Sequence, residues 1–460
     1  MTRLGRVRRI HFVGIGGAGM SGIAEVLLAQ GYAVSGSDIA PGPATERLAG
    51  LGAEVRIGHH PAMVRDADVV VVSAAIPDDD PERLEALARG VPVIPRAEML
   101  GELMRMKFAV AVAGSHGKTS TTSMIGEVLT AAGLDPTIVV GGRLASLGSG
   151  ARHGASDLLV AEADESDGSF LRLFPTIAVV TGIDREHLAH YGDLAQLHEA
   201  FRRFVARVPF WGAAVVCLDD PGVRELLPRL DRRVIPYGFA EGARVRGLDV
   251  VQEGFATRFV AEIDGRRLEV RLPVPGRHQV QNALATLAVA TELEVPAGQA
   301  AEALAGYRGP DRRMQRLGEF AGVLVVDDYG HHPREIEVTL GALRRAIGAR
   351  RLVVLFEPHR YSRLDDLFDR FARAFGDADA VRITDVYAAG EPPIPGRTGE
   401  ALAARIAAAG HPDARYVGPL DEAERALAAE LRPGDVLLTL GAGRVGRSAH
   451  RLAERLGDAA

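Results

Sequence analysis

The sequence predicts an α/β protein of three domains, and three observations carry that expectation. Short apolar, β-branched runs recur along all 460 residues and alternate with helical stretches, the pattern of parallel sheets covered by helices. A glycine turn follows the first such run, in "RRIHFVGIGGAGM". A different glycine loop, "AVAGSHGKTSTTSM" at residues 111–124, follows a later one. Hydrophobic content of 47% and charged content of 25% are those of an ordinary globular chain. The length suffices for roughly two to four cores.

Residues 1–106 open the series. "HFVGI", "DVVVVSAAI" and "VPVI" read as buried strands of one doubly wound unit. Gly14, Gly16 and Gly19 have G-x-G-x-x-G spacing, and Met20, Ile23, Ala24, Leu27 and Leu28 share one face of the helix expected next. Asp38 ends the following strand, "AVSGSD". Taken alone this is a dinucleotide fingerprint, and it would imply a nicotinamide-dependent oxidoreductase. The same spacing returns at Gly441, Gly443 and Gly446 after "GDVLLTL", too near the C-terminus for an acidic strand end to follow. The spacing therefore speaks for glycine turns in parallel sheets more than for NAD.

Residues 107–309 begin with the strand "KFAVAVAG" and its loop. The longer phosphate loop, G-x-x-x-x-G-K-[ST], would have a glycine where Val112 stands, and Gly114 is the other glycine nearby. Yet Lys118 is one of only two lysines among 54 basic residues. A compact ammonium on a flexible stem fits between phosphate oxygens where a planar guanidinium does not. The helix predicted from Met124, Ile125, Val128 and Leu129, closed at Gly133, aims its N-terminal N–H groups at an anion. Lys118 supplies charge there, and the Thr119 hydroxyl is placed to ligate Mg²⁺.

Further buried strands are expected at "DLLVAEAD", "TIAVVTGI" and "AAVVCLD". "ATRFVAEIDGRRLEVRLPV" alternates on both sides of Asp264-Gly265, a hairpin signal. "VAEADESDGSF" sets Glu162, Asp164, Glu165 and Asp167 just after a strand, and such acids repel unless solvated or bound to cations. "TGIDREH" offers His187 at another strand end.

"RGPDRR" at 308–313 reads as a linker into residues 310–460. There "GVLVVDDYG", "RLVVLFEPH", "AVRITDV" and "GDVLLTL" alternate with helices rich in Ala, Leu and Arg. "DDYGHHP" and "EPHRYSR" sit at strand ends, where open α/β sheets bind ligands. Arg360 and Arg363, three apart, are expected to share one helical face and grip a carboxylate.

Composition excludes several classes. A net charge of −6 gives no reason to expect nucleic acid or an anionic membrane. No stretch approaches the roughly 20 apolar residues needed to span a bilayer. The single cysteine, Cys217, allows no internal disulfide and no cysteine metal cluster, and its apolar run makes it a buried structural thiol. The expected location is cytoplasmic.

In order and spacing, "GIGGAGMSGIAEVL", "AGSHGKTSTT", "EADESDGSFL", "GRHQVQNALA", "RRMQRLGEF", "DDYGHHP", "EPHRYSR" and "GAGRVG" resemble the Mur ligases over essentially the whole chain. The resemblance implies an N-terminal Rossmann-like domain that holds the UDP of a substrate instead of NAD. It implies a central P-loop ATPase-like domain with a parallel or mixed sheet, and a C-terminal Rossmann-like domain that brings an amino acid. The implied activity is an ATP- and Mg²⁺-dependent ligation of L-alanine to the lactyl carboxylate of UDP-N-acetylmuramate through an acyl phosphate, in peptidoglycan precursor synthesis.

By the same resemblance Gly114, Ser115, His116, Gly117, Lys118, Thr119, Ser120, Asn282, Arg313 and Asp327 bind ATP. Thr119, Glu162 and His187 hold the metal. Gly16, Gly17, Ala18, Gly19, Met20, Ser37, Asp38, Ser73 and Arg96 bind the UDP-linked substrate. Tyr329, His331, Arg360 and Arg363 serve the alanine side, and Lys118, His187 and Arg360 are the catalytic set. The chain departs from the family pattern at Ser115, Ser120, Gly182, Glu186 and Gln279. A murein-peptide recycling ligase shares the loop and the acid run and is the alternative within the family; "DDYGHHP" with "EPHRYSR" resembles the alanine-adding type.

Overall fold

The apolar runs offered as strands assemble into three sheets in the computed structural model, which describes residues 4–144 and 149–458. The chain packs as two compact units. One takes in Met1–Asp249, Phe259–Arg271 and Val280–Pro310, the other Val250–Arg258, Leu272–Gln279 and Asp311–Ala460. The chain crosses between them at five points, the last of them after Pro310.

The first sheet orders its strands Glu54–Ile57, Ala33–Asp38, Arg9–Val13, Val69–Val72 and Val93–Pro95, all parallel. The chain order reverses between Arg9–Val13 and Val69–Val72, so a crevice opens at their carboxyl ends. Gly14 and Ser73 stand at that point. The helix Ala18–Ala29 follows the turn and buries Met20, Ile23, Ala24 and Leu27, the face its periodicity predicts.

The ten-stranded sheet sets Phe108–Ala113 between Ile177–Val180 and Leu158–Glu162, parallel to both. Parallel neighbours end on the same side. Three strand ends therefore deliver the 114–117 loop, the acid run after Glu162 and the segment before His187 to one place. Farther out, Ala256–Ile263 and Arg266–Leu272 meet at Asp264 (φ 49°) and Gly265 (φ 79°), the left-handed pair of a two-residue hairpin. Cys217 ends the wholly buried strand Ala213–Cys217, and burial pushes its thiol up to about 11, as befits a structural residue.

The second unit's sheet runs Gln315–Phe320, Val323–Asp328, Val436–Leu440, Leu352–Phe356, Ala380–Ile383 and Ala414–Tyr416, antiparallel in its first pair and parallel after it. "DDYGHHP", "EPHRYSR" and the second glycine turn leave three adjacent strands at one end. Among the described residues no helix is long and apolar enough to cross a membrane.

One aromatic cluster pins the acid run. The turn Ser169–Arg172 follows it directly and drives Phe170 into the helix Leu194–Ala206, 5.2 Å from the Phe201 ring and 5.0 Å from the Phe204 ring. All three rings are fully buried. Phe170→Ala is expected to cost about 3–5 kcal/mol by loss of burial and a residual cavity. Urea unfolding of the two proteins measures it; a loss below about 1 kcal/mol would show that the cluster does not hold this turn.

Candidate functional site

The loop after Phe108–Ala113 is shaped by contacts only glycine permits. Gly114 has φ 135°, and a Cβ there would lie 2.1 Å from the Thr181 hydroxyl. Gly117 has φ 81° at the start of the helix Lys118–Ala131, and a Cβ there would lie 2.8 Å from the Asn282 side-chain oxygen. The segment after Val180 braces the loop from beside it. Ser115 N–H donates to Gly182 O (3.0 Å), the Ser115 hydroxyl accepts the Asp184 N–H (2.8 Å), and the Thr181 hydroxyl donates to His116 O (2.5 Å). Ser120 is buried, and its carbonyl accepts from the Tyr307 hydroxyl. The loop is short and fully built.

Lys118 reaches back over the loop. Its Nζ donates to Gly114 O (2.8 Å) and to Glu165 Oε1 (2.8 Å). Burial alone would lower its pKa, yet the carboxylates of Glu165, Asp164 and Glu162 hold it above the ordinary lysine value. The expected repulsion within the acid run is thus met by one ammonium. Burial raises the Asp164 pKa, but Lys118 and the Ser166 N–H outweigh it and hold the carboxyl below its usual range. Asp167 caps the Ser169 N–H.

Two donor sets flank this lysine. The Thr119 hydroxyl donates to Glu162 Oε2 at 3.0 Å. Donor atoms of Glu165, Glu186 and His187 lie within 4.8 Å of one another, with His187 Nε2 at 3.8 Å from Glu165 and 3.6 Å from Glu186. His187 holds φ 57°, a strained backbone for a non-glycine residue. Both sets are oxygen-rich and fit a hard divalent cation such as Mg²⁺. Gly182, one departure from the family pattern, lies against Asp220, whose Oδ2 would be 3.0 Å from a Cβ there, so a larger residue would press on that carboxylate.

The first glycine turn is closed by its own strand end. Gly14 and Ile15 N–H both donate to Ser37 O (2.9 Å each), and Gly16 N–H donates to Asp38 Oδ2 (2.8 Å). One oxygen of the Asp38 carboxylate thus serves the turn itself. Arg96 packs against Gly19, where a Cβ would fall 2.4 Å from its Nη1, and its charge reaches Asp164. Ser73 lies beside Gly14. Ala18 begins the helix, Met20 turns its side chain into the core, and the Ser37 hydroxyl is fully buried.

In the second unit, each oxygen of the Asp327 carboxylate has a partner within the fold. One oxygen accepts from the Thr439 hydroxyl (2.7 Å) and the other from Arg312 Nε (3.0 Å). Arg312 also donates to Gly441 O at 2.5 Å. The second glycine turn seats Glu357 and Arg312: Cβ atoms at Gly443 and Gly446 would fall 2.4 Å from Glu357 Oε2 and from Arg312 Nε. It is a packing device. Asp328 holds the next loop through Met314 N–H (2.7 Å) and Gly330 N–H (2.8 Å). Arg313 lies 5.2 Å from the Tyr329 ring centre.

Tyr329, His331, His359 and Tyr387 form a chain of ring contacts at 5.4, 6.0 and 5.4 Å. Arg363 Nη1 donates to His359 O and meets its Nδ1, both at 3.2 Å. The shared helical face expected for Arg360 and Arg363 is not formed. The helix is Tyr361–Asp366, and Arg360 precedes it with φ 69°, about half exposed and 3.6 Å from Glu391.

The sequence reading missed Glu165 as the partner of Lys118, and Arg312 and Glu357 as the filling of the second turn. A rare buried lysine needs a counter-charge, which the acid run supplies; nothing in the spacing marked Arg312 or Glu357.

Family models described as "Mur ligase family, catalytic domain", "Mur ligase middle domain" and "Mur ligase, glutamate ligase domain" match residues 9–108, 112–290 and 312–443. The chain belongs to the Mur ligase family. It is 54% identical to the UDP-N-acetylmuramate–L-alanine ligase of Geobacter sp. (strain M21), over 96% of each chain. It is 54% identical to that of Sorangium cellulosum (strain So ce56), over 98% of this chain and 97% of the relative. The crystal structure of a UDP-N-acetylmuramate–alanine ligase from Thermotoga maritima matches it with a TM-score of 0.84 at 30% identity, covering 98% of this chain and 100% of that one. The three-domain α/β fold is therefore that of the family.

Three partly buried histidines are expected to make the second unit of this Mur ligase sensitive to acid. Burial pushes His278 down to about 4, His331 to about 3 and His359 to about 4, from an ordinary 6.5; nearby arginines push His278 and His359 the same way. Their folded-state values are depressed, so the stability they contribute is present above pH 6.5 and lost as pH falls toward 4. Asp328 works in the opposite sense. Burial pushes it up to about 6 from 3.8, so its contribution is present below 3.8 and lost as pH rises through about 6. With three groups against one, stability is expected to fall between pH 6.5 and pH 4. Urea midpoints across that range check it. His278→Asn should flatten the slope, and an unchanged slope would remove His278 from the account.

Proposed function

We propose that the chain is a cytoplasmic ATP-dependent ligase that joins L-alanine to the lactyl carboxylate of UDP-N-acetylmuramate in peptidoglycan precursor synthesis. The observation that carries the reading is Lys118, seated in a short glycine loop between two oxygen-rich donor sets at one sheet end. The full-length likeness to relatives named for that reaction supports the choice of substrates. The proposed division of labour is residues 1–106 for the UDP-linked substrate, 107–309 for ATP and 310–460 for the amino acid.

In this reading the helix start at Lys118 and the Lys118 ammonium bind the phosphates of ATP. Gly16, Gly17, Gly19, Asp38, Ser73 and Arg96 surround the uridine diphosphate. A carboxylate oxygen of the lactyl group forms a bond to the γ-phosphorus as the bond to the ADP oxygen breaks. The product is an acyl phosphate. The neutral amine of L-alanine then forms the amide bond to that carbonyl, phosphate leaves, and the amine's proton passes to solvent. Mg²⁺ held by Thr119 and Glu162, with a second cation at His187, Glu165 and Glu186, would neutralise phosphate and carboxylate charges that otherwise repel. Arg363, seated against His359, is assigned the alanine carboxylate. Tyr329 and His331, in ring contact, are assigned the alanine methyl group.

Phosphate release from ATP and Mg²⁺, with UDP-N-acetylmuramate and a panel of amino acids, tests the reading. L-alanine should be the best acceptor. Glycine should lag only modestly, because one methyl in an apolar pocket is worth about 1–3 kcal/mol. Acidic and diamino acids should be rejected. Lys118→Arg should lose turnover by about a thousandfold or more, the scale of losing a transition-state phosphate contact. Faster ligation of a tripeptide or of D-glutamate than of L-alanine would contradict the substrate assignment.

A further inference from the structure

Glu82 has no part in the chemistry above, yet it is a carboxylate with no exposure in the heart of the first sheet. It stands in the first turn of the helix Pro81–Ala88, whose N-cap Asp80 accepts the Glu82 and Arg83 N–H groups. Its Oε2 accepts the Ser37 hydroxyl at 2.6 Å and meets His11 Nε2 at 3.1 Å. Its Oε1 accepts the His60 N–H at 2.8 Å. Ser35 meets the other His11 nitrogen at 2.9 Å. One side chain thus joins the strand Arg9–Val13, the end of the strand Ala33–Asp38 and the loop at residue 60.

Everything it holds bears on the first glycine turn. Ser37 O receives both Gly14 and Ile15 N–H, and the next residue, Asp38, receives Gly16 N–H. Gly58 N–H donates to Asp38 O, so the loop carrying His60 closes on the same strand end. Because the Ser37 hydroxyl is buried and donated to Glu82, Ser37 shapes the turn from behind and does not meet a ligand with its side chain.

We infer that Glu82, acting through Ser37, is a positioning residue for the uridine diphosphate of the substrate: it fixes the strand end on which the Gly14–Gly19 turn is hung. The inference rests on the substrate reading above and deepens it. Burial would raise the Glu82 pKa, but hydrogen bonds from His11, Ser37 and His60 outweigh it and hold the carboxyl below its ordinary value. The ionised form accepts from all three partners. The amide of a glutamine has one accepting oxygen for them and turns an NH₂ toward donors.

The test measures binding of UDP-N-acetylmuramate by calorimetry and the Michaelis constants for all three substrates, in wild type, Glu82→Gln and Ser37→Ala. Both variants should weaken binding and raise KM for the UDP-linked substrate by about tenfold, with kcat and the KM for ATP and L-alanine within about twofold. Glu424→Gln provides the comparison. It removes the charge from a partly buried ion pair with Arg451 in the second unit and should lower the melting temperature without moving that KM. If Glu82→Gln does not fold, Ser37→Ala decides alone, since it removes a single hydroxyl. Unchanged binding in the variants, or KM values that rise together for all three substrates, would overturn the inference. Wild type that binds the UDP compound without ligating it would sink the reaction and leave Glu82 in place. Wild type that does not bind it would sink both.

Discussion

A single, largely enclosed ammonium organises the centre of this protein. Lys118 lies between the carbonyl of Gly114 and the carboxylate of Glu165, with Asp164 and Glu162 close enough to hold its proton firmly. Remove it and the fully buried Glu165 loses its ion-pair partner, which costs several kcal/mol, while Arg96 is left to face Asp164. Remove Glu165 and the lysine loses the partner that offsets its burial. In the proposed reading, the pair explains how a site for ATP can be assembled before the nucleotide arrives. Its acids answer the lysine in the folded chain, and in the proposed reaction they would also face the cations beside the phosphates.

That arrangement depends on sheet geometry. Phe108–Ala113 has a parallel neighbour on each side, so loop, acid run and His187 segment must emerge together. Phe170 then anchors the far side of the acid run in the aromatic cluster. The same logic brings "DDYGHHP" and "EPHRYSR" together in the second unit, where Tyr329, His331 and His359 meet. The two G-x-G-x-x-G turns show how far spacing alone can mislead. Near Gly16 a carboxylate folds the turn open at a crevice, whereas near Gly443 and Gly446 Glu357 and Arg312 fill it.

Much of this was legible in the residues. Buried parallel strands announce themselves as short β-branched runs, and the turn at Asp264-Gly265 follows from the left-handed φ those residues tolerate. The scarcity of lysine singled out Lys118, which the fold seats in the loop beside Glu165, and the helix beyond it buried the face its periodicity predicted. What stayed hidden depends on contacts far apart in sequence. Nothing local says that Asp327 is consumed by Arg312 and Thr439 while Asp328 shapes the loop. Nothing local says that Glu82 reaches back 45 positions to Ser37. Three-residue spacing suggested a helical face for Arg360 and Arg363, but the positive φ at Arg360 puts it outside the helix.

The central claim is that the loop around Lys118 directs the γ-phosphate of ATP onto a substrate carboxylate. It is tested most directly by running the reaction with UDP-N-acetylmuramate labelled with ¹⁸O in its lactyl carboxylate, and weighing the products. If the carboxylate attacks the γ-phosphorus, an ¹⁸O atom leaves with the released phosphate and ADP is unlabelled. Unlabelled phosphate, or label found in AMP, would contradict the account, because the oxygen transferred would then have come from water or gone to the α-phosphorus.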